Sequence, residues 1–297
     1  MKEGRTGKHK RFRTVRRFKK MLKRLRFRND TDRRLFLLGI GGSALILVCA
    51  ICALIWVFID YQLAKNTYTE VRERAVILMT DEEKTDAADT APADDAGWDG
   101  TGAALTVDFK QLLSENKDTI AWLDVPAADI SYPVLYAPDN DYYANRSFDG
   151  LESASGAIYL ECTNAVTFDD RNSFIYGHNM RDKSMFGRLQ ERFQEAGVYE
   201  AQPYFYLYLP DGSVNRYHVY SYYETSTGTD TYSTFTEDDA YDYYMYLTRT
   251  LSETQETVEI SGRPPIVTLS TCAGPSGTVK RFVVHGVLDG QAEVKAK

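Results

Sequence analysis

Residues 266–286 read IVTLSTCAGPSGTVKRFVVHG, a stretch that sets a cysteine at the end of one apolar run and an arginine at the start of the next. Ile266, Thr268 and Ser270 alternate with Val267, Leu269 and Thr271, and the run is rich in the β-branched residues that suit a pleated surface. It ends at Cys272. Residues 273–277, AGPSG, supply three turn formers in five positions, after which residues 281–287 resume a β-branched run. The stretch therefore predicts two strands joined by a loop, with Cys272 at a strand edge near solvent. A buried, inert thiol is the common fate of an isolated cysteine, and the strand pair alone leaves both readings open.

The formal net charge of −7 hides a sharp asymmetry. Residues 1–34 carry 16 Lys/Arg against three Asp/Glu, and everything after them is acidic in balance. Residues 35–59 contain no charge; as a helix they span about 37 Å, enough to cross a hydrocarbon core of about 30 Å with some tilt. We read them as a transmembrane helix. The basic arm before it and the acidic region after it keep the N-terminus cytoplasmic and export the rest. A cleaved signal peptide would need a shorter apolar core, a shorter basic region and a clear small-residue cleavage site. Phe12, Phe18 and Phe27 in the arm would suit stacking on nucleic acid, but the arm's position directly before the span favours topology and anionic lipid headgroups, so no nucleic-acid partner is expected.

Residues 60–104 divide into a helical stalk at 61–78 and an acidic linker at 80–101, where eight Asp/Glu face one Lys among Ala, Pro and Gly. The globular part begins near Leu105, and residues 105–297 are large enough for one core. Helices are predicted at 108–117, with Asp108 at the positive helix start, at 185–195 and at 238–252. Short strands are predicted at 121–125, 130–135, 157–160, 173–176, 204–209, 217–223, 266–271 and 282–287. Eight such strands make a mainly β domain, a barrel or sandwich with a few helices. The many tyrosines read as half-buried packing. Cys49 and Cys52 lie in the apolar run, so only Cys162 and Cys272 remain outside it, and no disulfide framework is present. Cys162 reads as structural.

A cysteine nucleophile needs a histidine to generate thiolate, and acyl transfer needs a donor where the oxyanion develops. His218 sits inside an alternating aromatic strand and reads as structural. His285 shares strand parity with Arg281 but lies about 13 Å further along, too far for one site to use both. His178 follows the 173–176 strand and Gly177, and so stands at a strand end like Cys272. Arg281, nine residues after Cys272, can return beside the thiol; its ordinary alternative is a strand-end salt bridge.

At these residues the chain resembles the sortases, Gram-positive cysteine transpeptidases. Thr268-Leu269-Ser270-Thr271-Cys272 resembles their cysteine strand, and the central serine is the class B form. Ile175-Tyr176-Gly177-His178 followed by Met185-Phe186-Gly187 resembles their histidine segment, and Lys280-Arg281-Phe282-Val283-Val284 their arginine strand. Residues 124–148 resemble the early strand and loop, and the 238–252 helix is similar to the insertion that marks class B. The resemblance implies an eight-stranded sortase β-barrel with Cys272 as nucleophile, His178 as acid/base and Arg281 stabilising the oxyanion or orienting substrate. It implies Ser270, Asn140, Thr227 and Tyr232 as substrate-binding residues. Two departures, Ala273 in place of an acidic residue and Ala144 in place of leucine, leave the sorting sequence open.

The implied partners are surface proteins bearing a C-terminal sorting signal and an amine nucleophile of peptidoglycan or lipid II, or a pilin lysine. No cofactor is implied, and no metal, because the part after the apolar run lacks a His/Cys cluster with ligand spacing. Two rival readings are a secreted cysteine hydrolase that gives the acyl group to water and a membrane-tethered binding module with an inert Cys272.

Overall fold

The computed structural model of the chain describes residues 29–78, 98, 100–254, 258–273 and 278–293. By contacts the chain divides into two units, Met1–Phe58 and Ile59–Lys297. The described part of the first unit is the beginning of α1 (Asp30–Ala75), which starts five residues before the predicted span. Asn29 caps it, its side-chain oxygen accepting from the Asp32 amide at 2.8 Å, and Asp30 and Asp32 sit favourably at the positive helix start. Leu38, Ile46, Leu54 and Trp56 are exposed, and α1 is long and apolar enough to cross a membrane. The basic arm over residues 1–28 lies outside the described residues.

In the second unit the last turns of α1 bury Tyr68, Val71 and Ala75 in the main core. The stalk helix predicted to residue 78 ends at Ala75, because β1 (Val76–Leu78) pairs antiparallel with β2 (Leu105–Val107). Most of the acidic linker between them lies outside the described residues. α2 (Phe109–Glu115) follows, and the Asp108 carboxylate accepts from the Gln111 amide at 2.9 Å as its N-cap.

Eight further strands close a barrel: β3 (Thr119–Val125), β4 (Ile130–Leu135), β5 (Ile158–Leu160), β6 (Asn172–Tyr176), β7 (Tyr204–Tyr208), β8 (Ser213–Ser226), β9 (Ile266–Cys272) and β10 (Lys280–Glu293). Their order around it is β10-β8-β7-β3-β4-β5-β6-β9. β4–β5 and β6–β9 pair parallel, and every other neighbouring pair is antiparallel. β8 and β10 are much longer than predicted, 14 residues each, because they pair along nearly their whole length through two register shifts. The helix predicted over 185–195 forms only as α3 (Leu189–Phe193), since Met185 adopts φ 51 and bridges Asn179. A second short helix, α4 (Val198–Ala201), was not predicted. α5 (Asp238–Leu251) matches expectation, with Asp238 and Asp239 in its first turn.

Strand alternation sorts β9 and β10 into two faces. Val267, Leu269, Phe282 and Val284 enter the barrel core with Trp122, Phe205 and Leu207. Ile266 and Val287 join Tyr220, Tyr241, Tyr244 and Val258 in a separate cluster, so α5 covers one end of the outer face. By parity the outer face also carries Thr268, Ser270 and Cys272, with Cys272 at the end away from Ile266.

Candidate active site

Three neighbouring strands assemble the site. Arg281, the second residue of β10, stands directly opposite Cys272, the last residue of β9, and such facing residues hold their Cβ atoms about 4.5–5.5 Å apart. On the other flank Tyr176 pairs with Ser270, and the Gly177 amide extends the parallel ladder to the Ser270 carbonyl at 3.2 Å. His178 therefore comes level with Cys272. Only glycine serves at position 177, because a Cβ there would meet Ile158 Cδ1 and would lie 2.8 Å from Phe186 Cδ2. The loop formers after Ala273, residues 274–277, lie outside the described residues.

His178 is half-buried, and its Nε2–H donates to the Ala144 carbonyl at 2.6 Å. That bond fixes the proton on Nε2 and leaves Nδ1 as the exchanging nitrogen. The backbone carbonyl of His178 accepts from the Phe186 amide at 3.0 Å. Asn179, which the sequence marked only as part of a polar loop, donates Nδ2–H to the Cys272 carbonyl at 2.7 Å and ties the histidine segment to the cysteine strand. Arg281 is half-buried, and its Nη1 donates to the carbonyls of Thr278 at 2.7 Å and Lys280 at 2.9 Å. Among the described residues its Nε and Nη2 make no protein hydrogen bond, which leaves two nitrogens with three N–H donors for a ligand.

Tyrosines line the ground beside the thiol. Tyr232 and Ser270 share a hydrogen bond at 2.7 Å, and the Tyr232 ring stacks on Phe174 at 5.6 Å. Tyr159 packs on Tyr176 at 5.5 Å. Burial, then Glu161 and Asp141, push the Tyr159 hydroxyl up to about 12. The Tyr232 hydroxyl is raised by burial, against the opposing pull of Ser270 and Arg281. Both phenols are neutral donors at working pH.

Asn140 reaches this surface through Glu161. The Glu161 carboxylate accepts from Asn140 Nδ2 at 2.7 Å, from the Tyr176 hydroxyl at 3.0 Å and from the Cys162 thiol at 3.3 Å. These bonds hold its carboxyl below the usual range despite the opposing penalty of burial. The Asn140 carbonyl oxygen accepts from the Cys162 amide at 2.9 Å. Thr227 stands apart: it is exposed just beyond β8, and its amide donates to the Val279 carbonyl at 2.9 Å. Glu161, Tyr159 and Asn179 were missed by sequence reasoning. For Tyr159 the alternation of β5 was the available signal; for Glu161 and Asn179 there was none.

Ala273 and His285 occupy different ground. Ala273 is 2% exposed within the barrel core, so the departure noted there lies on the face opposite Cys272. His285 is fully buried and shares a 2.8 Å hydrogen bond between Nδ1 and Thr268 Oγ1, among the rings of Tyr220, Tyr223 and Tyr244. Desolvation alone pushes it down to about 3. His218 packs on Tyr204 at 4.5 Å and is lowered by burial.

Residues 123–289 match the family described as the sortase domain. Over 198 residues the chain is 31% identical to sortase B of Listeria monocytogenes, an alignment covering 65% of this chain and 79% of that protein. It is 29% identical over 180 residues to sortase B of Staphylococcus aureus, covering 59% of this chain and 72% of the relative. The crystal structure of Clostridium perfringens sortase B superposes with a TM-score of 0.56 at 28% identity, covering 61% of this chain and 98% of that one.

Proposed function

Since the chain belongs to the sortase family, in its class B, and is thus a cysteine transpeptidase of the kind that anchors proteins to the cell wall, we propose that Cys272, His178 and Arg281 carry its chemistry. The Cys272 thiolate adds to the carbonyl of a Thr in a C-terminal sorting signal. The following C–N bond breaks as His178, from Nδ1, gives a proton to the departing amine, leaving a thioester on Cys272. An amino nucleophile then attacks the thioester, loses its proton to His178 and expels the thiolate, so the enzyme returns to its starting state. The Nε and Nη2 donors of Arg281, unbonded among the described residues, stabilise the developing oxyanion or hold the substrate carbonyl.

The observation that carries this reading is the register: Arg281 stands opposite Cys272 on one side, and the β6 ladder, extended by Gly177, delivers His178 on the other. Ser270, Tyr232 and Asn140 are assigned to the sorting signal, with Thr227 meeting its outer part. The donor amine belongs to peptidoglycan or lipid II, or to a pilin lysine. Residues 35–59 anchor the enzyme in a single pass, with residues 1–34 cytoplasmic and residues 105–297 forming the catalytic domain outside. Incubating the protein with a sorting peptide of the Asn-Pro-x-Thr type and triglycine tests the transfer. Ligated product that rises with triglycine supports it; hydrolysis indifferent to amine favours the hydrolase, and turnover surviving Cys272→Ala excludes thiol chemistry.

A further inference from the structure

One hydroxyl of α1 reaches the wall behind His178. Tyr68 is 6% exposed and packs edge-to-face on Tyr132 at 5.3 Å. Its O–H donates to the Gly156 carbonyl at 2.9 Å. Burial, the largest influence, holds this phenol far above the usual tyrosine range, so it remains a donor at every working pH. A single buried hydroxyl thus pins the Gly156 end of the 148–156 loop.

Gly156 touches the imidazole. Its φ is +56°, and a Cβ there would lie 2.9 Å from His178 Cδ2, 2.7 Å from the Ala144 carbonyl oxygen and 2.9 Å from that of Tyr143. The Ala144 carbonyl is the acceptor that fixes the His178 tautomer. Two residues before Gly156, the Ala154 amide donates to Asp60, also on α1, at 3.2 Å. On the other side of the histidine segment the Tyr132 hydroxyl accepts from the Met185 amide at 3.2 Å, and Met185 bridges Asn179. The Tyr68 ring and hydroxyl therefore back both supports of His178.

We propose that Tyr68 is a positioning residue for His178, so that the helix leading into the catalytic domain completes the active site as well as tethering it. The inference rests on the assignment of His178 as acid/base. Proton transfer depends on the imidazole being held within about 0.5 Å of its productive place by groups that are themselves locked. Gly156 cannot be locked by its own side chain, and the Tyr68 hydroxyl supplies the constraint from outside.

The test uses the full-length chain in lipid nanodiscs, comparing wild type, Tyr68→Phe, Gly156→Ala and Cys272→Ala. Turnover of a sorting peptide with triglycine is divided by the amount of Cys272 titrated with a thiol reagent. Tyr68→Phe keeps the ring and removes the donor; we expect kcat per titrated Cys272 to fall about five- to tenfold with KM within about twofold. Gly156→Ala should lose more of kcat. A merely structural Tyr68 would lower thermal stability and the titratable fraction while leaving kcat per titrated thiol at the wild-type value, and that result overturns the inference even if Gly156→Ala fails to fold. Turnover by Cys272→Ala would instead overturn the underlying function, so the two failures are distinguishable.

Discussion

Replacing His285 with Asn should separate the buried histidine from the reaction and expose its cost in acid. In the native protein His285 is completely enclosed, its Nδ1 shares a hydrogen bond with Thr268, and tyrosine rings surround it. Desolvation lowers it to about 3, whereas an unfolded chain leaves it at 6.5. Above pH 6.5 both states are neutral at this site and stability is unaffected. As pH falls below 6.5 the unfolded chain takes up a proton that the folded protein refuses, so stability declines at about 1.4 kcal/mol per pH unit until pH nears the folded value. Between pH 7 and pH 5 the site should therefore cost about 2 kcal/mol. His285→Asn places an amide nitrogen near the Nδ1 position, keeping a donor for Thr268 while removing the titration. Urea unfolding of the residue 60–297 fragment and its variant at both pH values gives the difference. The variant should lose about 2 kcal/mol less than wild type on acidification and keep most of its kcat. Equal losses in the two proteins, or loss of turnover in the variant, would refute the reasoning.

Asn179→Ala removes the donor to the Cys272 carbonyl and should reduce kcat/KM by about 5- to 30-fold, equivalent to about 1–2 kcal/mol, in steady-state assays with a sorting peptide. Tyr232→Phe retains the stack on Phe174 but forfeits the bond to Ser270; KM should rise about fivefold with kcat nearly unchanged. Trp122 is fully buried with its Nε1–H on Ser131 Oγ at 3.0 Å, so Trp122→Ala should cost about 3–5 kcal/mol, read as a lower urea midpoint.

What the sequence revealed was local in origin. The alternation of Ile266 to Thr271 reports a strand with two different faces, and Gly177 and the polar residues after it mark where β6 ends. Cys272 and Arg281 could be paired because one short loop joins their strands. The paired length of β8 and β10 was underread because Ser213 to Arg216 and Leu288 to Glu293 mix polar residues and glycine, and their partners, not their own pattern, hold them extended. β1 and β2 have three residues each and escape any periodicity test. The left-handed Met185 that shortens α3 is held by Asn179 and Tyr132, both outside the segment. Asn179 on Cys272, Glu161 beneath Asn140 and Tyr68 on Gly156 are contacts made only when the barrel closes, across 93, 21 and 88 residues. The rise per residue along a strand was sufficient to separate His285 from Arg281; its burial beneath α5 depended on tertiary packing.

The central claim is that Cys272 carries the acyl group. Intact-protein mass spectrometry after mixing the full-length chain with a sorting peptide, without added amine, measures this directly. The account predicts a mass increase equal to the peptide fragment ending in Thr, mapped to Cys272, discharged by triglycine and absent from Cys272→Ala. A fragment mapped to Cys162, or peptide cleavage with no adduct on any cysteine under conditions that trap thioesters, would contradict it.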